Sequence, residues 1–273
     1  MSTDTSSAAG LDTAGAAGDP PAPRVADFYA AFAAGDADAA VAAFAADGLY
    51  AFPSNPDEET DPRRVGEREG LRPAIAADPT FGAPHRIRVA AHEGDECLLE
   101  GWVLGADGEP VHSYVAACQL DDEGKLRRCI TFRCAPTEDA AGTDIADPGV
   151  DAAEQIGKYF HELEAGNMEQ AVQYFTDDCL YAHPPYGKGL PRVEFRGHEE
   201  LMAGFQHRGT QPKRHFVPVS IQRGPHLLFE GHVWVDGTED GRTESFISSA
   251  SLAPDGRVRR YLAYVCEPMV ARR

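Results

Sequence analysis

Positive charge is scarce in this 273-residue chain: 25 Lys and Arg stand against 44 Asp and Glu, a formal net charge of −19, and the deficit falls mostly in the first half. Nucleic acids and anionic membrane surfaces bind through Lys and Arg that displace counterions, so neither is expected as a partner. Long hydrophobic runs are missing too; none approaches the ~18 residues that a membrane span needs. The six cysteines, at 97, 118, 129, 134, 179 and 266, contain no CxxC pair and no metal-ligand spacing. Most lie in apolar, strand-like stretches and read as reduced thiols of a cytoplasmic protein. Residues 1–23 are rich in Ser, Thr, Ala, Gly and Pro and lack the apolar segment of a signal peptide, which predicts a disordered tail. GxGxxG, P-loop, GxSxG and kinase patterns do not occur, which argues against nucleotide and flavin cofactors. The expectation is that no cofactor is used.

What the chain does contain is a copy of itself. Phe44-Ala45-Ala46-Asp47-Gly48-Leu49-Tyr50 returns as Phe175-Thr176-Asp177-Asp178-Cys179-Leu180-Tyr181. At nearly the same offset His85 returns as His215, Glu100-Gly101 as Glu230-Gly231, Arg127-Arg128 as Arg259-Arg260, and Cys134 and Pro136 as Cys266 and Pro268. The unit is far longer than a solenoid repeat of about 20–50 residues. It reads as two domains of roughly 115–120 residues, each long enough to bury its own core. The expected boundaries are 24–136 and 152–270, joined by a linker at 137–151.

Both copies present their elements in one order. Apolar residues at helical spacing (Val25, Phe28, Tyr29, Phe32; Ile156, Tyr159, Phe160, Leu163) predict helices over 25–34 and 153–165, stopped by Gly35 and Gly166. A second helix is expected at 36–45 and 168–175. A short strand ending at Pro53 or Pro184 follows, then a polar loop, then a third helix near 67–76 and 198–206. Four strands complete each copy, at 85–92, 95–105, 110–120 and 125–134, and at 215–223, 226–236, 242–252 and 257–266. Helices first and a strand meander afterwards predict α+β, with helices on one face of a curved antiparallel sheet.

This order, with Phe-Ala-x-Asp-x-Leu-Tyr leading into a proline, resembles the nuclear-transport-factor-2-like cone fold, and within it the SnoaL-like polyketide cyclase and ketosteroid isomerase group. The resemblance implies two tandem cone-shaped domains, each with about three helices on its sheet. It also implies a cofactor-independent acid–base enzyme of secondary metabolism acting on a hydrophobic, polyketide-like or other small carbonyl metabolite, by cyclisation or isomerisation through an enolate, by dehydration, or by epoxide opening. Three positions carry the chemistry in isomerase-like members: a Tyr on the first helix, a carboxylate before the strand-end proline, and an acid on the third long strand. They fall on Phe28, Phe52 and Ala116 in the first copy, and on Tyr159, His183 and Ser248 in the second. One copy is apolar at all three positions and the other is polar, so the second reads as the working cone and the first as its support. His183 is not a carboxylate and Ser248 is not a strong acid, which departs from the isomerases. A tandem arrangement also resembles the polyether epoxide hydrolases, although their Asp/Glu pair is absent here. The fold further implies an intramolecular pseudo-dimer of the two domains, with room for a further homo-oligomer.

Candidate site residues follow from alternation in the second copy. Glu230, His232 and Trp234 share one face of their strand and Gly231, Val233 and Val235 the other; the resemblance points the Glu230 face into the cone. His183 is the candidate general base or acid with His215 or His232 as partner, Tyr159 the hydrogen-bond donor, and Glu230 the group that orients an imidazole. Trp234, Ser248, Tyr181 and Tyr261 are candidate substrate contacts. The bland readings are core packing for Tyr159, a loop role for His183, and structural roles for the repeated His215 and Glu230. Seven of the 10 histidines lie in the second copy, without HxH or HExxH spacing, and no metal is expected. His161, His198, His207 and His226 read as solvated, and the Arg pairs as salt-bridged or exposed. His85, Glu100, His112 and Tyr114 leave room for a different pocket in the first copy. A protein that sequesters a hydrophobic metabolite without converting it, or an accessory pair of domains, would use the same scaffold.

Overall fold

The computed structural model describes residues 11–14, 16–53, 63–136, 145–183, 193–208, 213–235 and 242–266. The chain divides into two compact units, with the main break after Pro136. The first holds β1 (Leu11–Asp12), β2 (Ala17–Gly18), α1 (Pro23–Ala33), α2 (Ala37–Ala42), β3 (Phe44–Pro53), β4 (Arg63–Glu67), a 3-10 turn (Arg68–Gly70), α3 (Leu71–Ala76), β5 (His85–Glu93), β6 (Glu96–Leu104), β7 (Pro110–Leu120) and β8 (Leu126–Cys134). The second holds α4 (Ala152–Ala165), α5 (Met168–Val172), β9 (Phe175–His183), β10 (Val193–Arg196), α6 (Gly197–Arg208), β11 (Lys213–Arg223), β12 (His226–Val235), β13 (Arg242–Leu252) and β14 (Val258–Cys266). Each unit is α+β, as expected.

The sheets run β1-β5-β6-β7-β8-β3-β4, with β2 also on β5, and β10-β9-β14-β13-β12-β11. In both, the early strand pairs in parallel with the last one, β3 with β8 and β9 with β14. This pairing ties the helical start of each unit to the end of its meander.

Local sequence explains the helices that lie on these sheets. In α1, Pro23 stands in the first turn, where its missing N–H costs nothing, and Val25, Phe28, Tyr29 and Phe32 form one buried stripe. In α4 the Asp151 side chain accepts from the N–H groups of Ala153 and Glu154, and Ile156, Tyr159, Phe160 and Leu163 are buried. Gly166 ends α4 at φ 80°, a backbone conformation that costs a side chain but not a glycine. The second helices are shorter than expected because the chain turns into β3 at Phe44 and into β9 at Phe175.

The repeated Glu-Gly pair has a geometric cause. β5 and β11 each carry one extra residue against β6 and β12, between Ile87 and Val89 and between Phe216 and Val219. Such bulges bend a sheet. Opposite them lie Gly101 and Gly231, each covered by an aromatic ring from the next strand. A Cβ on Gly101 would stand 2.6 Å from the Tyr114 hydroxyl and 2.4 Å from the Arg86 carbonyl oxygen. One on Gly231 would stand 2.3 Å from the Phe246 ring and 2.4 Å from the Phe216 carbonyl oxygen.

Four findings depart from expectation. Within the tail expected to be disordered, β1 and β2 pair in parallel with β5, and Asp12 accepts from Arg86 at 2.8 Å. The short edge strands β4 and β10 lie beside stretches that read as polar loop. Arg128 and Arg260 are buried rather than exposed, while Arg127 and Arg259 pair with Asp47 and Asp178. Finally, His198 and His226 are not simply solvated: the His198 ring bonds to the Phe175 carbonyl oxygen (2.8 Å) and the His226 ring to the Ser251 hydroxyl (3.0 Å).

Candidate functional site

Register decides which residues face the helices of the second unit. Paired residues of an antiparallel ladder share a face. Leu227, Phe229 and Val233 of β12, Phe246 and Ala250 of β13, and Tyr261 and Ala263 of β14 pack with Tyr159, Phe160 and Phe205 of the helices in one core. The inner face is therefore the Phe229 face. Ser248 pairs with Phe229 and with Ala263 and lies on it.

Five of the expected site residues meet there. The Tyr159 and Tyr181 hydroxyls are 3.1 Å apart, and both residues are buried. Tyr181 stacks on Tyr261, with ring centroids 4.9 Å apart. The Tyr261 hydroxyl stands 3.3 Å from the Ser248 hydroxyl. His183, two residues beyond Tyr181 on β9 and half-buried, holds its ring parallel to that of Tyr181 at 6.3 Å. Tyr159 is positioned by α4 and flanked by Phe160, Phe175 and Phe205. The result is a set of neutral hydroxyls within an aromatic wall, with an imidazole at its edge. Hydroxyls so placed can donate to an oxygen on which charge develops, and the imidazole can carry a proton.

His215 lies on the same inner face but in a second polar group, beyond Phe160, Phe229 and Phe246. Its ring stacks flat on Phe160 at 4.2 Å. Oε1 of Glu164, near the end of α4, takes the His215 backbone N–H at 2.5 Å and lies 3.1 Å from Nδ1. Burial works to raise the Glu164 carboxyl, but hydrogen bonds from the His215 ring and backbone outweigh it and hold the group below the usual carboxylate range. Two positions before His215, Lys213 forms an ion pair with the buried Glu244. Neither Glu164 nor Glu244 stood out in the sequence. The signal was present, because Glu164 replaces Ala33 of the first copy and Lys213 replaces Ala83.

Glu230, His232 and Trp234 do not join the site, which corrects the sequence reading. They share a face, as the alternation predicts, but it is the outer one: Glu230 pairs with Val219 and Ile247, and His232 with Phe216 and Ser245. Phe216, half exposed, lies 4.9 Å from His232 and 6.1 Å from Trp234 by ring centroids. The apolar residues of β12 and the bulge-facing Gly231 claim the side under the helices, which leaves Glu230 to the other. Glu230 therefore does not orient an imidazole of this site.

The first unit is not uniformly apolar inside. Phe28, Phe52 and Ala116 are buried as expected, but Asp78 beside them is also buried. Its carboxylate accepts from the Tyr50 hydroxyl (2.6 Å), the Thr80 N–H and hydroxyl (both 2.8 Å) and Arg133. Arg133 also lies over the Phe52 ring. Burial alone would raise the Asp78 carboxyl; Arg133 and these donors overcome that and hold it below the usual range. The Tyr29 hydroxyl bonds to Thr131 at 3.1 Å. His85, the counterpart of His215, gives Nδ1 to the Ala83 carbonyl oxygen at 2.8 Å, and burial pushes its pKa down to about 4. Among the described residues no three His, Cys, Asp or Glu side chains gather so as to hold a metal ion.

Residues 156–261 match the SnoaL-like domain family, so that stretch, less than half of the chain, carries a SnoaL-like domain. No curated protein matches the chain. Among solved structures the chain is similar to a nuclear-transport-factor-2-like protein of unknown function from Burkholderia xenovorans LB400, with 19% identity, 44% of this chain and 87% of that one covered, and a TM-score of 0.35. It is also similar to a candidate isomerase of the SnoaL-like family from Agrobacterium tumefaciens C58 (13%, 42% and 96%, 0.35). A candidate polyketide cyclase from Sinorhizobium meliloti gives 13%, 42% and 99%, and 0.33. No helix among the described residues is long and apolar enough to cross a membrane.

Proposed function

We propose that the C-terminal unit performs cofactor-independent acid–base chemistry on a small apolar carbonyl compound, a cyclisation or isomerisation through an enolate. The observation that supports this reading is the meeting of Tyr159, Tyr181, Tyr261 and Ser248 hydroxyls on an aromatic inner face with His183 at its edge. In this reading the carbonyl oxygen displaces one partner of the Tyr159–Tyr181 pair and takes a hydrogen bond from the phenol. A neutral phenol in a water-poor site stabilises the oxyanion more than water does. His183 removes the α-proton and returns it to another carbon, so the reaction is redox-neutral. His215 serves as the second proton-carrying group. The substrate is polyketide-like in the sense of being apolar, cyclic and enolisable.

Deuterium incorporation α to the carbonyl of 1-tetralone in D2O tests the reading. The protein should accelerate exchange, and His183→Ala should reduce the acceleration on the order of 100-fold or more, the range in which positioned proton transfer contributes. Tyr159→Phe should reduce it by about tenfold to a hundredfold. Exchange that is unaltered in both variants sinks the assignment.

A second reading, sequestration of an apolar metabolite without conversion, is favoured by the mutual satisfaction of both hydroxyl pairs without a ligand. It predicts saturable binding of 1-tetralone with the ketone recovered undeuterated.

A further inference from the structure

We propose that Glu164 is the positioning residue of His215, holding the imidazole in its Nδ1–H form so that Nε2 is the basic nitrogen of a second proton-carrying centre in the C-terminal unit. As a contribution to the reaction this rests on the reading above; as a statement about the imidazole it stands on geometry alone.

Three restraints act on this ring. The face is fixed by Phe160, parallel to it at 4.2 Å, with Phe246 against its edge at 5.8 Å. The backbone is fixed because the His215 N–H and ring Nδ1 both converge on one oxygen of Glu164, at 2.5 and 3.1 Å. The tautomer is fixed by the acceptor: an ionised carboxylate has no proton to give, so the nitrogen facing it must carry one. Glu164 reaches this place because α4 runs to Gly166 before its left-handed stop, which puts residue 164 in the last helical turn opposite the start of β11. Arg214 also acts on the carboxylate, and the Lys213–Glu244 ion pair lies on the same strand face.

The first unit provides the control within the same chain. His85 offers the same nitrogen to a neutral acceptor, the Ala83 carbonyl, and the counterpart of Glu164 is Ala33. The repeat therefore kept the imidazole and its Nδ1 bond while one copy alone added the negative charge. A carbonyl suffices to hold a ring, whereas a carboxylate also stabilises the imidazolium that forms when Nε2 takes a proton.

The experiment is ¹⁵N NMR of the histidine rings in the full chain, at a pH where His215 is neutral. The wild type should show the proton on Nδ1 alone. Glu164→Leu, which removes the acceptor, should give a mixture of tautomers, whereas Glu164→Gln, whose oxygen the His215 N–H holds toward the ring, should keep a predominant Nδ1–H form. His85 serves as an internal reference that none of these variants changes. A proton on Nε2 in the neutral wild-type ring, or a tautomer indifferent to Glu164→Leu, overturns the proposal. In the tetralone assay Glu164→Gln should lower kcat on the order of tenfold with KM unchanged, and Glu164→Asp should recover part of it. If the tautomer responds to Glu164 but the wild type catalyses no exchange, the positioning stands and the reaction assigned to the unit fails. If exchange depends on His183 while the tautomer ignores Glu164, the reaction stands and the positioning fails.

Discussion

Three inner rungs of the second sheet read Tyr261–Ala250–Leu227, Ala263–Ser248–Phe229 and Val265–Phe246–Gly231; the matching rungs of the first read Cys129–Cys118–Cys97, Thr131–Ala116–Leu99 and Arg133–Tyr114–Gly101. Polarity has moved between rungs rather than vanished from one unit. In the first unit it sits in Arg133, Thr131 and the nearby Asp78, and is charged. In the second it sits, on these rungs, in the uncharged hydroxyls of Tyr261 and Ser248 near His183, while its charged groups, Glu164 and the Lys213–Glu244 pair, gather around His215. Both oxygens of Asp78 accept hydrogen bonds from its own unit, so the Tyr50–Asp78–Arg133 group ties a loop to a sheet. In the second unit the Tyr159 and Tyr181 hydroxyls pair with each other, as do those of Ser248 and Tyr261. The two units thus differ in the chemical kind of polar group they place on matching rungs, a finer distinction than presence or absence.

The largest effect should come from breaking that commitment. Asp78→Ala leaves Arg133 buried without its counter-charge and should destabilise the first unit by about 3–5 kcal/mol, measured by urea unfolding, with tetralone exchange by the remaining folded protein unchanged. Next is the pH response of His85. Its folded pKa of about 4 lies below the unfolded value of roughly 6.5, so the unfolded chain binds the proton more readily. The stability this group contributes is complete above pH 6.5 and is lost as pH falls toward 4, amounting to ~3 kcal/mol across the window. Unfolding midpoints at pH 7 and pH 4.5 should converge in His85→Asn.

Smaller effects sharpen the comparison. Gly101→Ala and Gly231→Ala should each cost roughly 1–3 kcal/mol, because both force a Cβ against a backbone carbonyl. Near-equal losses would show that the bulge is shared scaffold; a cost confined to one unit would show that it is not. The smallest is a titration. In His215→Phe the Glu164 carboxyl loses its ring donor and should rise toward the ordinary range, as read by ¹³C NMR, with little change in overall stability because the group is half-buried.

The repeat made most of this fold legible. The positions of four long strands per unit follow from alternation bounded by glycine turns, and the helix stops from Gly35 and Gly166. Strands β4 and β10 were not legible, because a short edge strand takes its order from a neighbour rather than from its own pattern. The candidate grouping was legible where comparing copies exposed a gain of polarity: Tyr159, His183 and Ser248 come together on one inner face. It was misread at Glu230, His232 and Trp234 because alternation sorts residues onto two faces without saying which lies under the helices. Glu164 was not legible because a single Glu in the last turn of a helix carries no pattern of its own; only its difference from Ala33 of the first copy marks it.

Periodicity is a local property of a chain, and with the recurring motifs it was enough to indicate the α+β class, the helix stops and the partition of each strand into two faces. Tertiary structure decided the rest. It chose the Phe229 face of β12 as the inner one, since the helices bury the side with more apolar area to remove from water. It brought Glu164 to His215 and Asp78 to Arg133 across 51 and 55 positions of sequence. It also lined up Cys97, Cys118 and Cys129, which sequence spacing keeps apart, on one rung of adjacent strands, with the Cys118 and Cys129 sulfurs 3.5 Å apart. Contacts of that range depend on register, which a bulge of one residue resets and which no single strand encodes.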